Sequence, residues 1–183
     1  MFTASQKKRD NIAEYLLYMW QIEDIIRANN LDINEIEKNI IDKYKSLSDQ
    51  EKTAMRDWYE SLIDMMRREN VAKKGHLQLN KNIIIQLQDL QHYLMADKKY
   101  SDFSTEYYKT LPYIVELRAK SGENKADEIE TCFNALYGVL MLRLSGKEIG
   151  PDTALAIKQI TKYLALLSHY YKLDYNDQLQ LSE

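Results

Sequence analysis

The sequence predicts an all-α fold, a single domain built as a bundle of about seven helices. Three observations carry this. Apolar residues return every third or fourth position along most of the chain, while 5 glycines and 2 prolines are too few for the tight turns of many short strands. An apolar share of 45% beside 29% charged residues is the balance of a folded globular protein, which excludes a disordered or collagen-like chain. At 183 residues the chain has the length of one domain and can bury about 70% of its unfolded surface.

The first helix runs from near Ser5 to Ala28 on Ile12, Leu16, Met19, Ile22 and Ile26, and stops at Asn29-Asn30. Its block Tyr15-Leu16-Leu17-Tyr18-Met19-Trp20 is apolar on every side, the mark of a helix at the centre of a bundle. Asp32 caps a second helix that carries Ile33, Ile36, Ile40, Ile41 and Tyr44 on one stripe and ends near Lys45. Ser48-x-x-Glu51 has the form of a capping box and opens a third helix, through Met55, Trp58, Tyr59, Leu62, Ile63 and Met66 to about Lys73. Lys73-Lys74-Gly75 closes it with cations at the negative end of the dipole and a glycine free to turn left-handed. The fourth helix has Ile83, Leu87, Leu90 and Leu94 as its seam, with Asn80 interrupting it, and should form a long antiparallel hairpin with the third.

Ser101 to Ser104 read as a linker or short turn. A fifth helix follows on Tyr107, Leu111, Ile114, Val115 and Arg118, and Pro112 within it marks either a kink or the true start, with Thr110 as cap. Ser121-Gly122-Glu123-Asn124 is the next break. Ile129, Cys132, Phe133, Leu136, Tyr137, Leu140 and Leu144 define the sixth helix, and Pro151 starts the seventh, which reaches about Lys172. Residues 1–173 are thus the bundle and 174–183 a polar tail. The helices differ in length and in their break residues, which speaks against a solenoid.

Function is less legible. A net charge of −3 gives no field that would draw the whole chain to nucleic acid or anionic lipid. The first nine residues lack the apolar stretch of a secretory signal, and one cysteine cannot form an internal disulfide, so the expected location is the cytoplasm. The longest apolar run, Ala135 to Leu142, is far short of the ~20 residues that span a bilayer, so no membrane association is expected.

The stretch Asn11–Ala28, with its run Tyr15-Leu16-Leu17-Tyr18-Met19-Trp20, resembles the opening of a Bacteroidetes family, domain of unknown function 4924, and Glu130–Gly138, with Cys132-Phe133-Asn134, is similar to it as well. The resemblance implies a bacterial, intracellular, helical protein of about 180 residues, and it supplies no catalytic residues.

Individual residues offer candidates only. No Glu-x-x-His pair of a di-iron bundle occurs; Asp89-x-x-His92 puts two metal-binding groups on one helix face and is the candidate metal pair, although a surface hydrogen bond is the plainer reading of such a pair. His76 and His169 join it only if the fold brings them together. Glu14, His92 and His169 are the candidate catalytic groups of a pocket between helices, Glu14 because it borders the apolar block. Glu23-Asp24 stand at the other border, with Glu23 and Arg27 spaced as an ion pair. Cys132 lies on a core face with no base beside it, adjacent Ser168-His169 point about 100° apart, and Gly146 to Gly150 lacks the lysine of a phosphate loop. Arg67, Arg68, Lys73, Lys74 and Lys81 form a basic patch that would suit RNA or an acidic partner, or simply a solvated helix end.

Tyrosine, at 14 copies, is the compositional oddity, and it fits a rim around a core or an interface. The leading expectation is a non-enzymatic cytoplasmic protein, without cofactor, acting through helical contacts as a homodimer or on a protein partner. A small-molecule or metal-dependent enzyme and a binder of RNA or acidic partners are the alternatives.

Overall fold

The computed structural model of the chain describes residues 2–120 and 126–179. It is all helical, with 81% of residues in helices and no strand among those described. Among the described residues eight α-helices follow in order: α1 (Phe2–Asp10), α2 (Ile12–Ala28), α3 (Ile33–Asn39), α4 (Asp49–Arg68), α5 (Gln78–Ala96), α6 (Ser101–Lys120), α7 (Glu128–Leu144) and α8 (Pro151–Tyr175), with 3-10 turns over Ile41–Lys43 and Lys98–Tyr100. Among the described residues no helix is long and apolar enough to cross a membrane.

Local chemistry explains where the boundaries depart from expectation. The first helix is two, because the Asn11 side chain accepts the Ala13 amide at 3.0 Å and so starts a new helix inside the periodic stretch. Asp32 caps α3 through the Asn34 amide at 2.8 Å, but α3 stops at Asn39, and Tyr44 lies exposed instead of sharing the buried stripe of Ile36 and Ile41. Both bonds of the Ser48–Glu51 capping box are present. The helix that it opens ends at Arg68, not Lys73, because Asn70 takes a positive φ of 57° and Val71 donates its amide back to the Met66 carbonyl. The same closure ends α2, α7 and α8, with Asn30, Gly146 and Asp177 in the left-handed position. Gly75 turns left-handed as expected, at φ 86°.

The expected long hairpin is a turn at residues 69–77 between consecutive helices, and α4 finds its packing partner in α3. Ser101 to Ser104 are helical; the break precedes them, where the Asp97 carboxylate caps the 3-10 turn through Lys99. Pro112 sits inside α6 and does not start it. The carbonyl of Tyr108 therefore has no N–H four residues ahead to accept. The break expected at Ser121 to Asn124 lies outside the described residues. Helix α8 takes in Asp174 and Tyr175, which the sequence reading gave to the tail.

The chain divides into two compact units. The first holds the residues up to Arg9 and Glu14–Ile83; the second holds Asp10–Ala13 and the described chain from Ile84 onward. In the first, α4 grips α3 through Arg56, which donates to Glu37 at 3.1 Å and Asn34 at 3.3 Å. Leu16, Trp20, Ile26, Ile36, Ile63 and Met66 are buried there. In the second, α6 packs on α7 and α8, and α7 packs on α8. Its buried centre includes Phe103, Ile114, Cys132, Phe133, Ile160 and Tyr163, with the Phe103 ring 5.8 Å from that of Tyr163.

Candidate functional site

The best-built polar site lies in the first unit. The apolar spacing of α2 that buries Trp20 and Ile26 also carries Glu23 out of solvent. A buried carboxylate needs donors on both oxygens, and the turn after α4 supplies them. Glu23 Oε1 accepts the Leu77 amide at 2.9 Å and the Asn80 side chain at 2.8 Å, while Oε2 lies 2.6 Å from His76 Nδ1. The Leu77 and Asn80 bonds place the carboxylate at the N-terminus of α5, where the helix dipole favours a negative charge. Arg27, one turn further along α2, has its guanidinium 3.9 Å from Glu23 and donates to Asp24 at 2.7 Å, to the Val71 carbonyl at 3.2 Å and to the Gly75 carbonyl.

His76 is sandwiched by this arrangement. Its ring stacks on Trp20, with centroids 4.0 Å apart and planes 12° from parallel. Its Nδ1 lies at hydrogen-bond distance from the Glu23 carboxylate, which sets the orientation of the ring. The constellation is a clasp: it fixes the start of α5 and the path of the turn on α2.

A second polar network ties the helices of the other unit. Glu128 of α7 accepts the Tyr107 hydroxyl of α6 at 2.9 Å and the Gln91 amide of α5 at 3.3 Å, and Gln91 accepts the Tyr163 hydroxyl of α8. Gln159 of α8 donates to Glu106 and Thr110 of α6, and Tyr170 donates to Asp102 at 2.8 Å. Burial first, and then its neighbour Glu128, pushes the Cys132 thiol up, which disfavours the thiolate.

Burial, and then the bond that each donates to a carboxylate, pushes the phenols of Tyr107 and Tyr170 up to about 12. The fold holds the neutral phenol. The stability contributed is therefore complete below the ordinary value of 10.0 and is lost as pH climbs from there toward about 12. The urea midpoint is expected to fall across that window, in step with late tyrosine ionisation read by absorbance. A midpoint constant between pH 9.5 and 12 would contradict these assignments.

Two features of the second unit face outward. Tyr108, Pro112, Val115 and Ala119 recur at four, three and four along α6, and all four are exposed, Tyr108 at 62% and Val115 at 58%. They form an apolar stripe opposite the helix's buried face of Phe103, Thr110 and Ile114. Elsewhere, α5 and the end of α8 flank an open cleft of about 440 Å³ lined by Gln86, Asp89, Leu90, Tyr93, Tyr171, Asp174, Tyr175 and Leu179.

A family model for a domain of unknown function, DUF4924, matches residues 1–178. The chain belongs to that family. No curated protein and no solved structure matches it.

The residues that sequence reasoning singled out in this member of the family are dispersed. Glu14 is exposed and paired with Lys7 at 2.8 Å. His92 and His169 are exposed on α5 and α8, and the described residues bring no three His, Cys, Asp or Glu side chains together as a metal would need. Asp89, also exposed, lines the cleft. Of the basic patch, Arg67 is held by the Leu31 carbonyl at 2.9 Å and lies 3.8 Å from Asp64. Arg68, Lys73, Lys74 and Lys81 are exposed. Sequence reasoning paired Glu23 with Arg27 and noted His76 apart from them, but not the union of all three. Its one available signal was an acid bordering a helix apolar on every side.

Proposed function

We propose that this protein works without chemistry of its own, by joining helical surfaces, and that its first partner is a second copy of the same chain. The outer stripe of α6 carries the reading. Burying a large apolar side chain contributes about 1.5–3 kcal/mol, and here Tyr108 and Val115 stand in water. The stripe is also self-complementary in charge. Laid antiparallel on its own copy about a two-fold axis between Pro112 and Tyr113, α6 sets Lys109 of each chain opposite Glu116 of the other, since both flank the stripe on the same side. The reading includes a cytoplasmic location, supported by a single cysteine kept as a buried thiol.

Light scattering over a range of concentrations tests it. The expected mass rises to twice the 21.6 kDa of one chain, and Val115→Glu returns it to one. Glu116→Lys weakens association by roughly fivefold, and adding Lys109→Glu restores it, as cross-helix ion pairs of a few tenths to 1 kcal/mol require. A single-chain mass at every concentration overturns the proposal.

A further inference from the structure

We infer that the cleft between α5 and the end of α8 is a binding site for a small organic ammonium ion. Its walls come from helical spacing. Gln86, Asp89 and Tyr93 lie on one face of α5, and Tyr171, Asp174 and Tyr175 on one face of α8. About 440 Å³ is room for a substituted ammonium group and lies within the range of small-molecule sites.

The chemistry of the lining selects the charge. Asp89 and Asp174 bring two carboxylates to the same space, and neither has an ion-pair partner among the described residues. Among the described residues no lysine or arginine lines the cleft; the nearest in sequence, Lys172, points to Asp10 at 3.9 Å. Three tyrosine rings complete the wall, and the negative face of an aromatic ring attracts a weakly hydrated cation. Tyr171 is held in place because its hydroxyl donates to Gln86 at 3.0 Å, spanning α8 to α5. Carboxylates alone would serve a hydrated metal ion as well. Rings beside carboxylates favour an alkylated nitrogen, which gives up its water at lower cost.

Tetramethylammonium chloride, titrated into the full chain with labelled tyrosine rings and followed by NMR, tests the inference. Saturable shifts are expected for Tyr93, Tyr171 and Tyr175, with none from sodium chloride at equal ionic strength. Asp89→Asn with Asp174→Asn weakens binding by roughly tenfold or more, Tyr93→Leu weakens it while keeping both charges, and Asp152→Asn, outside the cleft, leaves it unchanged. Shifts that never saturate, that sodium chloride reproduces, or that persist at full affinity in the double variant would overturn it. The two aspartates are exposed, so the variants fold and a null result counts against the site.

Discussion

Glu23→Ala is expected to lower the unfolding free energy by about 3–5 kcal/mol, the cost of breaking a buried charge network by removing one partner. The side chain is fully buried, so no water replaces it. Its loss strands the Leu77 amide, the Asn80 side chain and His76 Nδ1, and it leaves the Arg27 guanidinium without its buried counter-charge. Glu23→Gln keeps the volume and one acceptor oxygen, but its NH₂ must face a donor, so about 1–3 kcal/mol is expected. His76→Ala costs less than Glu23→Ala because the imidazole is 24% exposed, and the two changes together cost less than their sum because they share one bond. Urea unfolding followed by tryptophan fluorescence, which reports directly on the Trp20 stack, gives each value. A loss below about 1 kcal/mol for Glu23→Ala would show that the clasp is not holding the turn.

Tyr163→Ala is expected to cost a similar amount in the second unit, about 3–5 kcal/mol, by a different route. This α8 ring is fully buried against α6, 5.8 Å from Phe103 and 6.2 Å from Tyr107, so truncation opens a cavity in the core of the unit. It also leaves the buried Gln91 side chain without the hydroxyl that it accepts. Tyr163→Phe separates the two contributions: the ring stays, and the loss falls to the roughly 1–3 kcal/mol of an unpaired polar group. Equal losses for Phe and Ala would mean that the hydroxyl, and not the ring, dominates.

The fold was legible wherever a local rule decides it. The Ser48 box, the Asp32 cap, the turn at Gly75 and the buried stripe of Ile83, Leu87, Leu90 and Leu94 each rest on neighbours within one or two helical turns, and the sequence carries those in full. The break at Asn11 was missed because an asparagine side chain competes for a helix start inside a stretch whose apolar period never falters. The clasp was out of reach for another reason: Glu23 and His76 are 53 positions apart, and nothing in either neighbourhood encodes the approach. Asp89 reads as a metal candidate because His92 stands one turn away, yet half of the residues that line its cleft come from the far end of the chain, Tyr171 to Leu179. The tyrosine surplus proved mixed. Tyr59, Tyr100 and Tyr163 serve the interior, while Tyr44, Tyr108 and Tyr175 stand outside.

Cys132 sits with no exposed surface on α7 and with its proton held firmly. While that helix stays docked, oxidants and disulfide exchange partners have no thiolate to meet and no sulfur to reach. The only cysteine of the sequence is therefore kept out of thiol–disulfide exchange by the packing of α7.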